Sequence, residues 1–573
     1  TLHTSTQVVH YVHHQLSHIL GLPLGNIRVI MTNCGGGFGA KAATTTIEVL
    51  SIFLARIAGC PVKMRFNREE MYLFGRGRHK QYIDLKIGVK KDGTITAVKQ
   101  RAVLEGGAYS SFGIVSTYYA GSMLTTLYKF PNYKYDGYRV NTNLPPCGAF
   151  RGHGCPHPRF AFESLLTMIA DDIGMDSIDI RLKNAMTPDY HTCNDLDINS
   201  CELTACIDLV RKKSDWDKKK GKLPRGRGIG IGCGGFVSGA GYPIYRSKFP
   251  HSSATIKIVE DGSRAILFIG DADIGQGSDT VLAMAACEAM GITYDRISVV
   301  SADSDLTPIG FGAYSSRVTL MGGNASKMAG EEIKKQVLAA AAEILKVDES
   351  KLEPRENKVF VKDDYSKLPS PIGEGPGVRS KFIPWEEAAF AHFSKKGPLL
   401  GKGHYSPPEG LGGKYKGAAV GTSPAYSFSA TVCEVDVDME TGKVKVLNFW
   451  DAHDCGTAVN PLLVEGQAEG AVLMGMSETL FENEVFDSKG KMLNADFHNY
   501  LIATSADMPP IDSNIVDSYE PAGPYGAKEV GEGATLPILG AIANAVADAI
   551  GVRIFELPIT PQKVLEAIQS KKN

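Results

Sequence analysis

The sequence predicts an α+β fold. Three observations carry the prediction: a strand–turn–strand pattern that recurs three times, a run of helical period after each recurrence, and a glycine excess without a fixed repeat. Glycine accounts for 62 of 573 residues, about 11% against a typical ~7%. Such an excess is expected in turns and loops.

The recurring pattern reads YIDLKIGVKKDGTITAVKQRAVLEGG over 82–107, SATIKIVEDGSRAILFIGDADIGQG over 253–277 and SATVCEVDVDMETGKVKVLNFWDAHDCG over 429–456. Each copy alternates apolar with polar residues, turns at Asp-Gly or Thr-Gly and runs into a glycine-bearing loop, the signature of a β-hairpin. The copies lie too far apart for a solenoid, so duplicated layers that present loops at one end of a sheet are expected. Helices are expected over 160–174, 279–291, 330–346 and 538–551, where apolar residues return at intervals of three and four. The basic stretch 211–228, which contains Pro224, marks a boundary and gives domains 1–215 and 216–573. A charged stretch at 354–382 reads as a surface insertion.

Composition excludes several functions. The 61 basic and 63 acidic side chains leave a net charge of -2, which gives no pull toward nucleic acid or anionic membranes. The 11 cysteines form no CxxC pair, against a disulfide scaffold, a zinc ribbon or an iron–sulfur cluster held by this chain alone. A reducing, cytoplasmic setting is expected. The longest apolar run, LPILGAIANAVADAI, is broken by Pro537, Asn544 and Asp548, so it reads as a buried helix and no membrane span is expected. The chain opens Thr1-Leu2-His3 without the regions of a signal peptide, and reads as a segment that begins inside a larger protein.

Most single motifs fail their context. GIGCGG (230–235) has G-x-G-x-x-G spacing but continues FVSGAGYP rather than into a helix, so a strand-end turn is expected instead of a dinucleotide site. CGGGFGAK (34–41) lacks the Ser or Thr that a phosphate-binding P-loop carries after its lysine; its glycines still permit close backbone approach. His10, His13, His14 and His18 share one helical run with no HExxH base and no cysteine at ligand spacing, and are read as a solvated face. There is no G-x-S-x-G elbow of a serine hydrolase.

Four constellations remain: Ser5-Thr6-Gln7 followed by the GGGFG loop, CGAFRGHG (147–154), DIGQG (273–277) with AYSSR (313–317), and AKEVGEG (527–533). In this order and at these separations they resemble the molybdenum-binding part of the xanthine oxidase and aldehyde oxidoreductase family, over nearly the whole chain. The resemblance implies two elongated molybdenum-cofactor-binding domains with long β-hairpins and packed helices. It also implies molybdenum held through a pterin dithiolene with no direct protein ligand, in the molybdopterin cytosine dinucleotide form. Gln7 matches the glutamine that hydrogen-bonds an oxygen ligand of the metal. Gly35, Gly36, Gly37, Phe38, Gly39 and Arg151 match loops lying against the metal centre. Gly275, Gln276, Gly277, Ser315, Ser316, Gln467 and Gly531 match loops around the cofactor, where amides at a helix start suit phosphate. Glu532 matches the active-site glutamate, a base if burial raises its pKa toward neutrality; read alone, it is equally a glutamate at a helix N-terminus.

Departures from the family narrow the expectation. Ala42 stands where purine-oxidising members carry glutamate, and Tyr119 where they carry arginine, so xanthine is not the expected substrate. Gly152 replaces the cysteine of carbon monoxide dehydrogenases. SSFGIVSTYYAGSML, PPCGAFRGHG and PRFAFE look most like the alpha subunit of 4-hydroxybenzoyl-CoA reductases. That likeness implies reductive dehydroxylation of an aromatic acyl-CoA, with Tyr119 or Tyr118 as proton donor and Ala42, Tyr119 and His153 lining the substrate pocket. The tyrosines serve equally well as an apolar wall. Two alternatives stand beside this reading: oxidative hydroxylation of an N-heterocycle or aldehyde through the same Glu532, and a non-catalytic cofactor-binding or scaffold subunit. Electrons would pass through an iron–sulfur small subunit carrying 2Fe-2S clusters and an FAD-containing medium subunit, in a hetero-oligomer able to dimerise.

Overall fold

A computed structural model describes residues 1–110, 112–240, 248–362, 381–411 and 422–571. The chain forms two compact units interleaved along the sequence. The first takes Thr1–Gly36, Ser247–Ala313 and Val318–Pro407; the second takes Gly37–Arg246, Tyr314–Arg317 and Pro408–Asn573. This spatial division differs from a sequential cut at 215/216. The 211–228 stretch falls inside the second unit, where it closes the helix Leu203–Lys213, forms the turn Trp216–Lys219 and enters the strand Arg227–Val237.

In the first unit, the expected hairpin at 253–277 pairs Ser252–Ile258 with Ala265–Ile269 and is extended by Leu400–Tyr405 and Ile297–Ser301 into a four-stranded sheet. The helices Ser278–Met290 and Gly323–Leu345 supply apolar faces to its core. The second helix begins seven residues before the expected 330. Its first turns, GNASKMAG, carry little hydrophobic period, and their small residues permit close packing: a Cβ on Gly330 would lie 2.7 Å from that of Ala289. The 354–382 stretch contributes to a small three-stranded sheet through Leu352–Arg355, Lys358–Val361 and Phe382–Pro384; residues 363–380 lie outside the described residues.

The histidine run differs from expectation. Within the helix Val9–Leu20, His10 and His13 are buried, His14 is half-buried and only His18 is exposed. Six consecutive residues from Val8 to His13 are buried, so the N-terminal turns are enclosed on every side and no solvated face exists there. The Gly310 amide donates to His10 Nδ1 at 3.5 Å, and burial pulls the His10 imidazole down to about 4, so it stays neutral at physiological pH.

The second unit holds the hairpins at 82–107 and 429–456. Gln81–Val89 and Ile95–Glu105 run antiparallel and are joined by Tyr133–Val140 in parallel. Tyr426–Val437 and Val444–Asp454 form the centre of a four-stranded sheet flanked by Arg227–Val237 and Ile511–Ile515. The helices Pro156–Ile173 and Leu536–Ile550 end at Gly174 and Gly551, whose left-handed backbone (φ 68° in both) stops them where the sequence places glycine.

GIGCGG is not a strand-end turn. It lies within Arg227–Val237, a strand buried along almost its whole length. Gly228, Gly230 and Gly232 alternate onto one face and receive the helix Leu536–Ile550. A Cβ at Gly228 would lie 2.5 Å from the Ala549 amide nitrogen, at Gly230 2.5 Å from the Ala541 carbonyl oxygen, and at Gly232 2.9 Å from the Ala541 amide nitrogen. Part of the glycine excess therefore belongs to strand–helix contact rather than to loops. Gly533–Ile550 is long and apolar enough to cross a bilayer, yet 89% of it is buried in the fold, as a core helix requires.

Candidate active site

The helix Leu536–Ile550 matters because the AKEVGEG loop leads into it. Glu532 sits just before the 3-10 turn Gly533–Thr535. Its carboxyl is held between two donors from distant segments: the Gly152 amide donates to Oε1 at 3.1 Å, and the Ser316 hydroxyl to Oε2 at 3.0 Å. Withdrawal from solvent and the neighbouring Glu529 charge push the Glu532 carboxyl up to about 7, against the opposing pull of those two hydrogen bonds and of Arg151. A carboxyl poised near neutrality can take up or release a proton at working pH.

Arg151, in the CGAFRGHG loop, is buried. Its Nε donates to the Gly531 carbonyl at 2.5 Å and its Nη2 to the Gln467 carbonyl at 2.9 Å, so one guanidinium ties three expected site residues together. Burial lowers its pKa to about 10, while Glu532 and Glu529 work in the other direction. The Arg151 amide donates to the Phe38 carbonyl at 2.8 Å, and Arg78 Nη2 donates to the Arg151 carbonyl at 2.8 Å. The two loops meet backbone to backbone: Gly39, at φ 105°, leaves no room for a Cβ, which would lie 2.6 Å from the Ala149 carbonyl oxygen. Phe38 is exposed and itself left-handed, at φ 48°.

Behind this loop, Tyr119 is fully buried on the helix Gly113–Ser122 and its hydroxyl lies 2.9 Å from Ser315 Oγ. Burial pushes that phenol well above its ordinary value, so it remains protonated. Its ring meets His153 edge-on with centroids 5.5 Å apart. His153 Nε2 lies 3.3 Å from the Phe112 carbonyl oxygen, and burial pulls the imidazole down to about 4. Phe112 in turn clusters with Ala42 and Ala43. Ala42, Phe112, His153 and Tyr119 thus form one continuous wall of aromatic and small apolar groups. Tyr118 is 43% exposed and stands outside it.

In the first unit, Gln7 is buried and doubly tied to Ala313: its Nε2 donates to the Ala313 carbonyl at 2.6 Å, and the Ala313 amide donates to the Gln7 carbonyl at 2.9 Å. Gln276 braces its own loop, accepting from the Ile274 amide at 2.7 Å and donating to the Ala272 carbonyl at 3.0 Å. The flanking Gly275 and Gly277 are left-handed, and Gly277 caps the helix Ser278–Met290. Gly36, at φ 92°, donates its amide to the Ile274 carbonyl at 3.1 Å.

Other residues of the second unit were not legible as site residues. Lys528 and Asp454 form an ion pair at 2.8 Å with both side chains wholly buried, and Lys528 also donates to Ser200 at 2.9 Å. Glu529 accepts from Ser427 and from two amides of its own loop. The signal that could have found them is the polar end of the third hairpin, DAHDCG, an unusual string for a buried strand.

Each unit by itself offers donors suited to oxygen and phosphate: in the second unit hydroxyls, a guanidinium and amides in loops left-handed at Phe38, Gly39, Gly152, Gly154, Ser315 and Ser316, and in the first unit loop amides at the left-handed Gly36, Gly275 and Gly277. Among the described residues no group of three or more His, Cys, Asp or Glu side chains is placed to hold a metal ion.

Comparison with known proteins shows the family. Two family models, each described as a molybdopterin cofactor-binding domain, match residues 1–185 and 209–509. The chain is 32% identical over 574 residues to the xanthine dehydrogenase molybdenum-binding subunit of Escherichia coli O157:H7, covering 99% of this chain and 72% of that protein. It is 29% identical over 593 residues to the nicotine 6-hydroxylase large subunit of Paenarthrobacter nicotinovorans, covering 99% of this chain and 69% of that protein. The crystal structure of quinoline 2-oxidoreductase from Pseudomonas putida 86 superposes with a TM-score of 0.89 at 25% identity, covering 99% of this chain and 72% of that one. On its two cofactor-binding domains and its near end-to-end similarity to these proteins, the chain belongs to the molybdenum-binding subunits of the xanthine oxidase and aldehyde oxidoreductase family and is a molybdopterin-dependent oxidoreductase.

Proposed function

We propose that the chain carries out oxidative hydroxylation of an electron-poor carbon in an N-heteroaromatic ring, with Glu532 as the base. The observation that carries this reading is the Glu532 carboxyl held between Gly152 and Ser316 with a pKa of about 7. The relatives reported above are named as a dehydrogenase, a hydroxylase and an oxidoreductase of nitrogen heterocycles, which favours oxidation over the reductive dehydroxylation of an aromatic acyl-CoA. Ala42 and Tyr119 replace the polar pair of purine-oxidising members, so the preferred ring is less polar than xanthine.

When bound, molybdopterin in its cytosine dinucleotide form supplies the two-electron redox chemistry. In the second unit Phe38, Arg151 and the loop at Ser315–Ser316 would hold it, and in the first unit Gln7 and the loop at Gly275–Gly277 would do so, with loop amides suited to its phosphates. Glu532 accepts, at a carboxylate oxygen, the proton that the oxygen nucleophile loses as it bonds to carbon. Arg151 holds Gly531 and Gln467 in place and stabilises the charged form of Glu532. Ala42, Phe112 and Tyr119 stack against the ring and exclude water. His153, neutral at pH 7, offers one ring nitrogen to a polar edge, and Tyr119 remains a proton donor because its phenol stays protonated. Electrons leave through partner subunits carrying 2Fe-2S clusters and FAD, in a reducing cytoplasmic setting.

The test is Glu532→Gln in the assembled enzyme, assayed with quinoline, nicotinate, purines and aldehydes in the oxidative direction and with 4-hydroxybenzoyl-CoA after reduction. The expected outcome is hydroxylation of an N-heterocycle by the parent protein and at least a thousandfold loss in the variant with molybdenum content unchanged. Turnover of 4-hydroxybenzoyl-CoA alone would sink the oxidative reading.

A further inference from the structure

We propose that Glu529 is a positioning residue for Glu532: its carboxylate grips the amides of Glu532 and Gly533, fixing the turn from which the Glu532 carboxyl reaches Gly152 and Ser316. The inference deepens the reading of Glu532 as base and rests on it.

Glu529 is almost fully buried. Its Oε2 accepts from the Glu532 amide at 3.0 Å and its Oε1 from the Gly533 amide at 3.1 Å, while the Ser427 hydroxyl donates to Oε1 from the central strand of the sheet. Its own backbone is fixed on both sides. The Glu529 amide donates to Ser238 Oγ at 2.9 Å, its carbonyl lies 3.1 Å from His453 Nε2, and the preceding Lys528 is locked to Asp454. Nor can the turn move aside: a Cβ on Gly533 would lie 2.5 Å from Glu529 Oε1 and 3.4 Å from His453 Cε1. A carboxylate with three donors around it, one of them from a central strand of the sheet, holds the following carboxyl in one orientation.

The same placement puts a second acidic charge behind Glu532. The ionisable groups facing Glu532 are Glu529 from its own loop, Arg151 from the CGAFRGHG loop, Tyr119 from the helix Gly113–Ser122 and Cys155 at the start of the helix Pro156–Ile173. Burial makes Tyr119 and Cys155 harder to ionise, so both are neutral near pH 7. Lys528 is occupied by Asp454, and Cys455 and His453 flank Glu529 rather than Glu532. Burial does most to retain a proton on Glu532 and Glu529 adds to it, while the Ser316 and Gly152 hydrogen bonds and Arg151 oppose them.

The test titrates Glu532 directly. In the assembled enzyme, the infrared carbonyl band of protonated Glu532, assigned by its loss in Glu532→Gln, is followed against pH together with the pH profile of kcat/KM. Glu529→Gln should lower both midpoints by about one unit and reduce kcat about tenfold. Wild-type kcat with unchanged midpoints overturns the proposal, whereas a lowered kcat at unchanged midpoints supports positioning through the two amides without a charge effect. If Glu529→Gln does not fold, Glu529→Asp withdraws the side chain by one methylene from the two amides. It should lower kcat about tenfold with molybdenum retained, and wild-type kcat in that variant overturns the proposal. The parent reading fails separately: an active Glu532→Gln removes the base, whereas an inactive Glu532→Gln beside a wild-type Glu529→Gln removes only the role of Glu529.

Discussion

Replacing Gly230 by alanine tests how tightly the catalytic loop depends on a contact between a strand and a helix. A Cβ at this position would lie 2.5 Å from the Ala541 carbonyl oxygen, and it would also press on the Ala545 amide nitrogen and the Asn544 carbonyl carbon. Ordinary contact needs about 3.5 Å, so the helix Leu536–Ile550 must withdraw by about 1 Å. The obstructing atoms are helix backbone, which cannot rotate away, and the cost should reach about 3 kcal/mol, the upper end for overpacking. Glu532 lies only four residues before that helix. A shift of about 1 Å at a reacting group costs on the order of a hundredfold in rate. Urea denaturation of Gly230→Ala and of Gly25→Ala, whose added methyl meets nothing within 4 Å, separates packing from propensity. Steady-state kcat of the assembled enzymes then reads the displacement. A Gly230→Ala protein with parental stability and parental kcat would refute the reasoning, because it would mean the helix is not seated on this strand as described.

Three other outcomes follow from the geometry. Because Glu532 must be ionised to act as base, kcat/KM should rise with pH through a midpoint of about 7, and Glu532→Gln should abolish the rise with the activity. The same raised pKa means that the folded state holds this proton more tightly than the unfolded chain does. Its contribution to stability is complete below the ordinary value of 4.5 and is lost as pH climbs through about 7, a slope that stability curves of parent and Glu532→Gln should reveal by difference. Lys528→Met strands the Asp454 carboxylate in a fully buried site, at a cost of about 3 to 5 kcal/mol. A loss below about 1 kcal/mol by urea denaturation would contradict the burial of that pair.

Local chemistry made much of the fold legible. Asp-Gly and Thr-Gly placed the hairpin turns because few other pairs reverse a twisted strand, and Gly174, Gly291 and Gly551 stopped their helices because the left-handed position there excludes most side chains. What stayed hidden depends on what lies across a contact. Nothing within GIGCGG says that a helix will cover Gly228, Gly230 and Gly232, and nothing in VVHYVHHQLSHIL says that His10 will be enclosed. Gly152 and Glu532 are 380 residues apart, so nothing local in the sequence announces that they meet. Glu529 was passed over because the sequence shows an acid near an acid, without the Ser427 hydroxyl and the two amides that hold it.

The interleaving of the two units bears on how the protein can be taken apart. The chain passes from one unit to the other after Gly36, Arg246, Ala313, Arg317 and Pro407. Neither unit can be excised as a cassette. A fragment ending at residue 215 would contain Arg151 without Glu532, and its complement would contain Glu532 without Gly152. Ser316, the other partner of Glu532, reaches the second unit only as part of the four-residue segment Tyr314–Arg317. Exchange of modules between relatives would therefore have to cut and rejoin the chain at each of those passages, or else replace it whole.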